Sequence, residues 1–137
     1  MESLWLNINQ AEHLMKLKLD MSDAKCYIRA NYPLKSNVTL IVNKSEYDAY
    51  KKVDRVLGPE FKYVPTYTLQ EILGKLPDEI KINKKTYRLH IDKNLIDYTY
   101  DEYDYWETEF STSEGNMLDM AYEALSWVIK NGHLKTK

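Results

Sequence analysis

The sequence predicts an α+β protein in which an antiparallel β-sheet packs against helices, including a long C-terminal helix. Three observations support this prediction. Apolar residues recur at helical spacing near both ends of the chain, short alternating segments separated by turn residues occupy its second half, and 137 residues are enough to bury a core without disulfides or metals. Because we find no repeat, linker or domain boundary, we expect residues 1–137 to form a single domain.

The N-terminal half is predicted to contain two helices and a pair of strands. Apolar spacing in INQAEHLMKLKL predicts a helix from about Gln10 to Leu19, with Asn7 or Asn9 as its N-cap. The runs KCYIRA and NVTLIV are separated by the turn-rich NYPLKSN, which predicts paired strands. A second helix is expected over residues 45–57, and its apolar stripe is Tyr47, Tyr50, Val53 and Leu57.

A capping box and a hairpin are predicted in the middle of the chain. Thr68 and Glu71 have the spacing of a capping box, so a short helix begins there and must end before Pro77. The segment EIKINKKTYRLHID alternates on both sides of its NKK turn, which predicts a β-hairpin with one buried face. The inward residues of this hairpin are expected to be Ile80, Ile82, Tyr87, Leu89 and Ile91.

The last predicted element is the C-terminal helix in NMLDMAYEALSWVIKNGHL. Asn116 is its expected N-cap and Gly132 its expected C-cap. Leu118, Ala121, Leu125, Val128 and Ile129 form its apolar stripe. With the helix covering the sheet, the predicted core includes Leu14, Ile82, Leu89, Ile91, Phe110, Leu118, Leu125 and Trp127.

The stretch IDYTYDEYDYWETEF, residues 96–110, combines six carboxylates, four tyrosines and a tryptophan without any Lys or Arg. Two strands with a bend near Glu102 would place the aromatic residues mainly on the core face and the acids mainly on the solvent face. In that interpretation the acids lie beside basic residues of the preceding hairpin, and the stretch is a salt-bridged sheet surface. The expected inward residues are Ile96, Tyr98 and Tyr100 and, after the bend, Trp106, Thr108 and Phe110.

A surplus of acids at turns and strand ends suggests a second interpretation. Between Lys93 and Lys130 the chain has nine acidic residues and no basic one, so the rest of the chain is basic overall. Acids beside tyrosines suit recognition of a basic protein, since tyrosine supplies broad contact area at small entropic cost. The candidate partner-binding residues are Asp101, Glu102, Tyr103, Asp104 and Tyr105.

Catalytic and metal-binding motifs are absent from the sequence. Its single cysteine, Cys26, fits a reducing cytosol, and its three histidines lack metal-ligand spacing. We therefore expect no catalytic residue, metal or cofactor, and a non-enzymatic, cytoplasmic interaction protein. The longest apolar run, VTLIV, is far shorter than the roughly 20 residues of a membrane span, so we expect no membrane partner. Two alternatives stay open: a small carboxylate- or metal-dependent hydrolase, and a homo-oligomeric structural protein.

A basic cluster in the central hairpin raises the question of nucleic-acid binding. Lys81, Lys84, Lys85, Arg88 and Lys93 surround Tyr87 in KINKKTYRLHIDK. Phosphate binding needs such charges on one face, but Tyr87 is predicted to point inward and the neighbouring acids repel phosphates. We therefore expect no direct binding of nucleic acid, and interpret the lysines as protection of a strand edge.

Three segments carry a resemblance to a known group. NINQAEHLMKLKLD, VPTYTLQEILGKLP and EFSTSEGNMLDMAYEALSWVIKNGHL resemble the opening helix, the Val-Pro-Thr segment and the final helix of small uncharacterised proteins of tailed phages and prophages. The likeness spans about half the chain; the segment from Asn37 to Lys62 does not fit the group's pattern, and Lys18 stands where glycine is commoner. The resemblance implies an α+β fold and a role as a phage or mobile-element accessory factor in the host cytosol, with no activity to transfer.

Overall fold

A computed structural model of the protein describes residues 4–102 and 105–134. Those residues form two antiparallel sheets and four helices, which confirms the predicted α+β class. No helix in the described part of the chain is long and apolar enough to cross a membrane. In chain order the elements are α1 (Ile8–Lys16), β1 (Cys26–Asn31), β2 (Ser36–Ile41), α2 (Lys44–Leu57), β3 (Phe61–Thr66), α3 (Leu69–Lys75), β4 (Glu79–Ile82), β5 (Lys85–Asp92), β6 (Leu95–Glu102), β7 (Tyr105–Thr112) and α4 (Met117–Lys130).

The helix ends follow the predicted capping chemistry. Asn7 caps α1 in a reciprocal pair with Gln10, but α1 stops at Lys16 rather than continuing to residue 19. The Thr68 capping box is present at α3. At the end of α4, Gly132 has a φ of +75° and donates to the Ile129 carbonyl, so the predicted glycine stop lies just beyond the helix.

The first sheet has the strand order β2-β1-β3 and holds α2 through a buried ion pair. Arg29 of β1 binds both carboxylate oxygens of Asp54, at 2.6 and 2.7 Å, and the Tyr63 hydroxyl of β3 donates to the same carboxylate. The Arg29 hydrogen bonds lower the pKa of Asp54. Asp54 is the buried residue of α2, so a polar contact rather than an apolar stripe fixes this helix to the sheet.

The predicted inward stripe of α2 is therefore wrong in part. Tyr47 packs on Tyr27 and Tyr63, but Val53 is 54% exposed and Leu57 is 79% exposed. The physical reason lies in the sheet, because β1 and β3 present a guanidinium and a phenol to the helix. Because a buried guanidinium needs a carboxylate as its partner, the side of α2 that carries Asp54 turns toward the sheet.

The second sheet is the antiparallel meander β4-β5-β6-β7. Asn83 and Lys84 form the first hairpin turn with φ values of 51° and 69°, which suits the right-handed twist of the strands. The predicted hairpin is thus confirmed, and both Ile80 and Tyr87 are buried. Ile91 was expected in the core and is instead 45% exposed, because it lies near the next turn, where β5 ends at Asp92.

A bulge in β7 overturns part of the predicted alternation. Pairing with β6 passes from Tyr98–Phe110 to Thr99–Thr108, so Glu109 is an extra residue. Every residue of β7 before the bulge consequently faces the side opposite to the predicted one. Trp106 and Thr108, expected inside, are exposed, and Glu107 shares the face of the buried Tyr98.

The core lies mainly between α4, the second sheet and the N-terminal segment. Leu14, Leu118 and Leu125 are buried as predicted. The other predicted core residues besides Ile91 pack against this core while partly buried: Ile82, Leu89, Phe110 and Trp127. Trp127 of α4 lies 5.8 Å from the Tyr98 ring and 5.0 Å from the Phe110 ring, measured between centroids. The C-terminal helix thus covers the part of the sheet around these two rings.

Candidate functional site: the exposed end of the second sheet

Residues on the inner face of the second sheet become progressively more exposed along β6. Ile96 and Tyr98 are fully buried, Tyr100 is half-buried and Glu102 is exposed, although all four point to the same side. The β7 partners of the last three change in parallel, from Phe110 through Glu107 to Tyr105. The residues beyond the covered part form the exposed sheet end: Lys85, Tyr100, Glu102, Tyr105 and Glu107.

Glu107 is the centre of this exposed sheet end. Its Oε1 accepts hydrogen bonds from the Lys85 ammonium at 2.7 Å and the Tyr87 hydroxyl at 2.6 Å, and its Oε2 accepts from the Tyr105 hydroxyl at 2.9 Å. These donors, Lys85 first, lower the pKa of Glu107 to about 2. The hydrogen bond to Glu107 also raises the pKa of Tyr87 to about 12. Glu107 is therefore ionised at neutral pH and all three donors keep their protons.

Lys85 is held by aromatic rings as well as by a carboxylate. Its ammonium lies 5.4 Å from the centroid of Tyr100 and 5.6 Å from that of Tyr105. Both distances are within the range in which a ring face attracts a cation. Next to this arrangement, the Tyr100 hydroxyl donates to the Glu102 carboxylate. The exposed sheet end is consequently a surface on which aromatic rings and carboxylates together hold a cation.

The predicted partner-binding residues are only partly brought together. Glu102 pairs with Tyr105 across the hairpin, on the face of the exposed sheet end. Asp101 pairs with Trp106 on the opposite face, where the indole is 68% exposed. The remaining two predicted residues, Tyr103 and Asp104, lie outside the described residues. Of the three predicted residues that the structure describes, Glu102 and Tyr105 thus share one face of the hairpin and Asp101 lies on the other.

Sequence reasoning missed Lys85, Tyr100 and Glu107 as members of one site. Lys85 lies two residues before Tyr87 in the same strand, so the sequence already indicates that the two share a face. Glu107, by contrast, reaches this face only because of the bulge in β7. The same geometry divides the basic cluster of the central hairpin, since Lys85 points to the inner face while Arg88 lies opposite Thr99 on the outer one. Tyr87 is buried, as predicted.

Among the described residues of the solvent face, a cross-strand contact between a histidine and an acid joins the two predicted hairpins. His90 Nδ1 lies 3.0 Å from Asp97 Oδ1 across β5 and β6. Arg88 lies between Thr99 of β6 and Glu79 of β4, and Lys81 lies opposite Thr86. Pairing across the sheet therefore accounts for Asp97, but it leaves the acids at the far end of the hairpin to be explained.

Other acids lie in a groove between the end of β7 and the start of α4. Glu114, Asp119 and Glu123 line this groove, which has a volume of about 560 Å³. Gln10 of α1 donates to Asp119 at 3.1 Å, so this carboxylate helps to join two helices. Within residues 4–102 and 105–134, no three His, Cys, Asp or Glu side chains converge in a way that suits a metal ion. Contact between α1 and α4 thus explains the position of Asp119 in this groove.

Comparison with other proteins adds no family to these observations. Neither a family model, nor a curated protein, nor a solved structure matches the chain. Function must therefore be inferred from the chemistry of the exposed sheet end.

Proposed function

We propose that the protein is a non-enzymatic binding protein whose exposed sheet end recognises a basic segment of a partner protein, and that Asp101, on the other face of the same hairpin, adds to the attraction of that segment. The observation that carries this proposal is the way Lys85 is held, between two tyrosine rings and the Glu107 carboxylate. The same chemistry is open to a lysine or arginine of a partner. Arginine suits it best, because a guanidinium stacks on aromatic rings and binds carboxylates through two parallel hydrogen bonds.

The charge distribution supports the same partner class. Asp101 and Glu102 are exposed, and every charged residue between Lys93 and Lys130 is acidic. A basic partner is attracted to such a surface before contact, whereas a nucleic acid is repelled. Together with the resemblance of three segments to phage and prophage proteins, these features favour an accessory factor that acts on a host protein in the cytosol.

A hexa-arginine peptide with a fluorescent label tests the proposal. Its association should slow markedly with added salt, because exposed charges are screened beyond about 8 Å at physiological ionic strength. The triple variant Asp101→Asn, Glu102→Gln, Asp104→Asn should bind more weakly than wild type. A matched control, Glu60→Gln, Glu79→Gln, Glu123→Gln, removes the same charge from other exposed positions. Equal binding by the two triple variants would overturn the proposed site.

Lys85 provides a second test, because it competes with any incoming cation. Lys85→Met should tighten binding of the peptide by freeing Glu107 and the two tyrosine rings. Arg88→Met is its matched control, since it removes the same charge from the outer face of the same strand. If both variants tighten binding equally, net charge alone governs the interaction and the cation site at Glu107 is wrong.

A further inference from the structure

Strand β2 lies at an edge of the first sheet. It pairs with β1 on one side, and within residues 4–102 and 105–134 the structure describes no strand on its other side. The backbone N–H and C=O groups along the free side of an edge strand can form the hydrogen bonds of a further strand. The partner that suits this edge is therefore an extended strand.

The other edge strands of the two described sheets have features that discourage such pairing. Strand β3 contains Lys62 and Pro65, and proline has no N–H to donate. Strand β4 has only 4 residues, one of them Lys81, and β7 is interrupted by its bulge. In β2 the irregular residue is Asn37, with a φ of 53°, near the start of the strand. The run VTLIV that follows, residues 38–42, contains no charge and no proline.

The exposed apolar side chains of this edge are arranged symmetrically. Val38 in β2 and Val42 directly after it are 57% and 54% exposed. Leu40, halfway between them, is partly buried and shares their face of the sheet by the alternation of the strand. An antiparallel strand of the same sequence, centred on Leu40, places Val38 of each strand opposite Val42 of the other. The sequence of this edge is thus complementary to itself.

The charges around the edge also favour a second copy. Residues 36–43 carry no charge, so an acidic or a basic peptide gains no ion pair along the strand. The bases that flank the strand have acids of their own chain beside them. Lys35 Nζ lies 2.6 Å from Glu12 Oε1, and Lys44 Nζ lies 3.3 Å from Asp48 Oδ1. Two β2 edges can therefore approach each other with their flanking lysines already paired.

We propose that two copies of the chain associate edge to edge through β2, paired antiparallel about a two-fold axis that passes beside Leu40 perpendicular to the sheet. The two three-stranded sheets then form one continuous sheet in the order β3-β1-β2-β2-β1-β3. Val38 of each copy covers Val42 of the other, which removes apolar surface of both from water. The proposal is independent of the binding function assigned to the exposed sheet end.

Sedimentation equilibrium of the full chain tests this proposal. Wild type should show a reversible monomer–dimer equilibrium at submillimolar concentration, with a limiting mass twice that of the 16.3 kDa chain. Val38→Lys with Val42→Lys should weaken dimerisation at least about tenfold, because each lysine then faces a lysine of the other copy. Thr108→Lys with Ser111→Lys adds the same charge at exposed positions of the second sheet and should weaken it much less. A wild type that stays monomeric, or equal weakening by the two pairs of changes, would overturn the proposal.

Disulfide cross-linking tests the orientation and register of the two strands. In a chain whose free cysteine is removed by Cys26→Ser, Leu40→Cys should give a disulfide-linked dimer on oxidation with copper phenanthroline, because this position lies opposite itself. Val38→Cys in the same background should cross-link far less. Its two copies lie four residues apart along the antiparallel pair, about 14 Å at 3.4 Å per residue. Equal cross-linking at the two positions, or none at Leu40→Cys, would contradict the proposed pairing.

Discussion

The covered and exposed parts of one sheet face lie on the same strands, β6 and β7, but differ in chemistry. Where α4 lies over β6 and β7, the face consists of apolar and aromatic contacts such as Tyr98 and Phe110 on Trp127. Beyond α4 this face continues past the bulge at Glu109, and its residues become Tyr105, Glu107 and Glu102. Tyrosine suits both parts, because its ring packs and its hydroxyl finds a partner. The first part therefore contributes buried contacts to the core, whereas the second presents its charged and phenolic groups to solvent.

The largest effect should follow from a change in the covered part. Leu125 is fully buried in α4, so Leu125→Ala should lower the free energy of unfolding by about 2–5 kcal/mol. Trp106→Ala, on the exposed face of β7, should change it by no more than about 0.5 kcal/mol. Urea denaturation of both variants measures the contrast. A loss below half a kcal/mol for Leu125→Ala would contradict the position of α4.

Removal of a tyrosine hydroxyl should cost more stability in the covered part of the sheet face than in the exposed part, although both effects should be smaller than that of Leu125→Ala. The Tyr98 hydroxyl donates to the Pro77 carbonyl at 2.7 Å within the covered part, so Tyr98→Phe should cost about 1 kcal/mol of stability. Tyr105→Phe removes a hydroxyl that is bound to Glu107 in an exposed setting, and its effect on stability should be smaller. Thermal unfolding monitored by calorimetry compares the two, and equal losses would argue against the distinction.

The contribution of Glu107 in the exposed sheet end to stability should decrease as the pH falls. The hydrogen bond from Lys85 keeps the pKa of Glu107 near 2, below its ordinary value of 4.5. A carboxylate with a lowered pKa stabilises the fold above pH 4.5, and that contribution disappears as the pH falls toward 2. Carboxyl NMR titration should find a midpoint near 2 in wild type and a higher one in Lys85→Met. An unchanged midpoint in the variant would mean that Lys85 does not bind Glu107 in solution.

The smallest effect on stability should come from the acids at the end of the hairpin. Asp101→Asn with Glu102→Gln should shift the free energy of unfolding by no more than about half a kcal/mol, because both residues are exposed. Their proposed role is in binding, so the free energy of unfolding measured by urea denaturation should be almost the same in the double variant as in wild type. A loss of several kcal/mol would place these acids in the structural part of the sheet.

Local chemistry made much of the fold predictable from the sequence. Thr68 with Glu71, and Asn116 with its apolar run, mark helix starts through contacts between near neighbours in the chain. The face that α2 buries depends on Arg29 and Tyr63, which lie on other strands, and its spacing alone could not reveal it.

The candidate site was predictable in composition but not in arrangement. The run of acids and tyrosines is visible in the sequence, and it includes Asp101, Glu102 and Tyr105. The bulge at Glu109 has no glycine to mark it, yet it decides that Glu107 and not Trp106 faces Lys85. The alternation of apolar and polar residues in the sequence does not show this one-residue shift in pairing. The shift nevertheless moves Glu107 from the predicted solvent face to the face that carries Lys85.

Mapping the hexa-arginine peptide by backbone amide NMR at low salt tests the central claim most directly. We expect chemical-shift changes to centre on Glu102, Tyr105 and Glu107, to spare the buried residues of α4 such as Leu125, and to vanish at high salt. Changes of similar size over all acidic segments, or a peptide that leaves the exposed sheet end unaffected, would contradict the account.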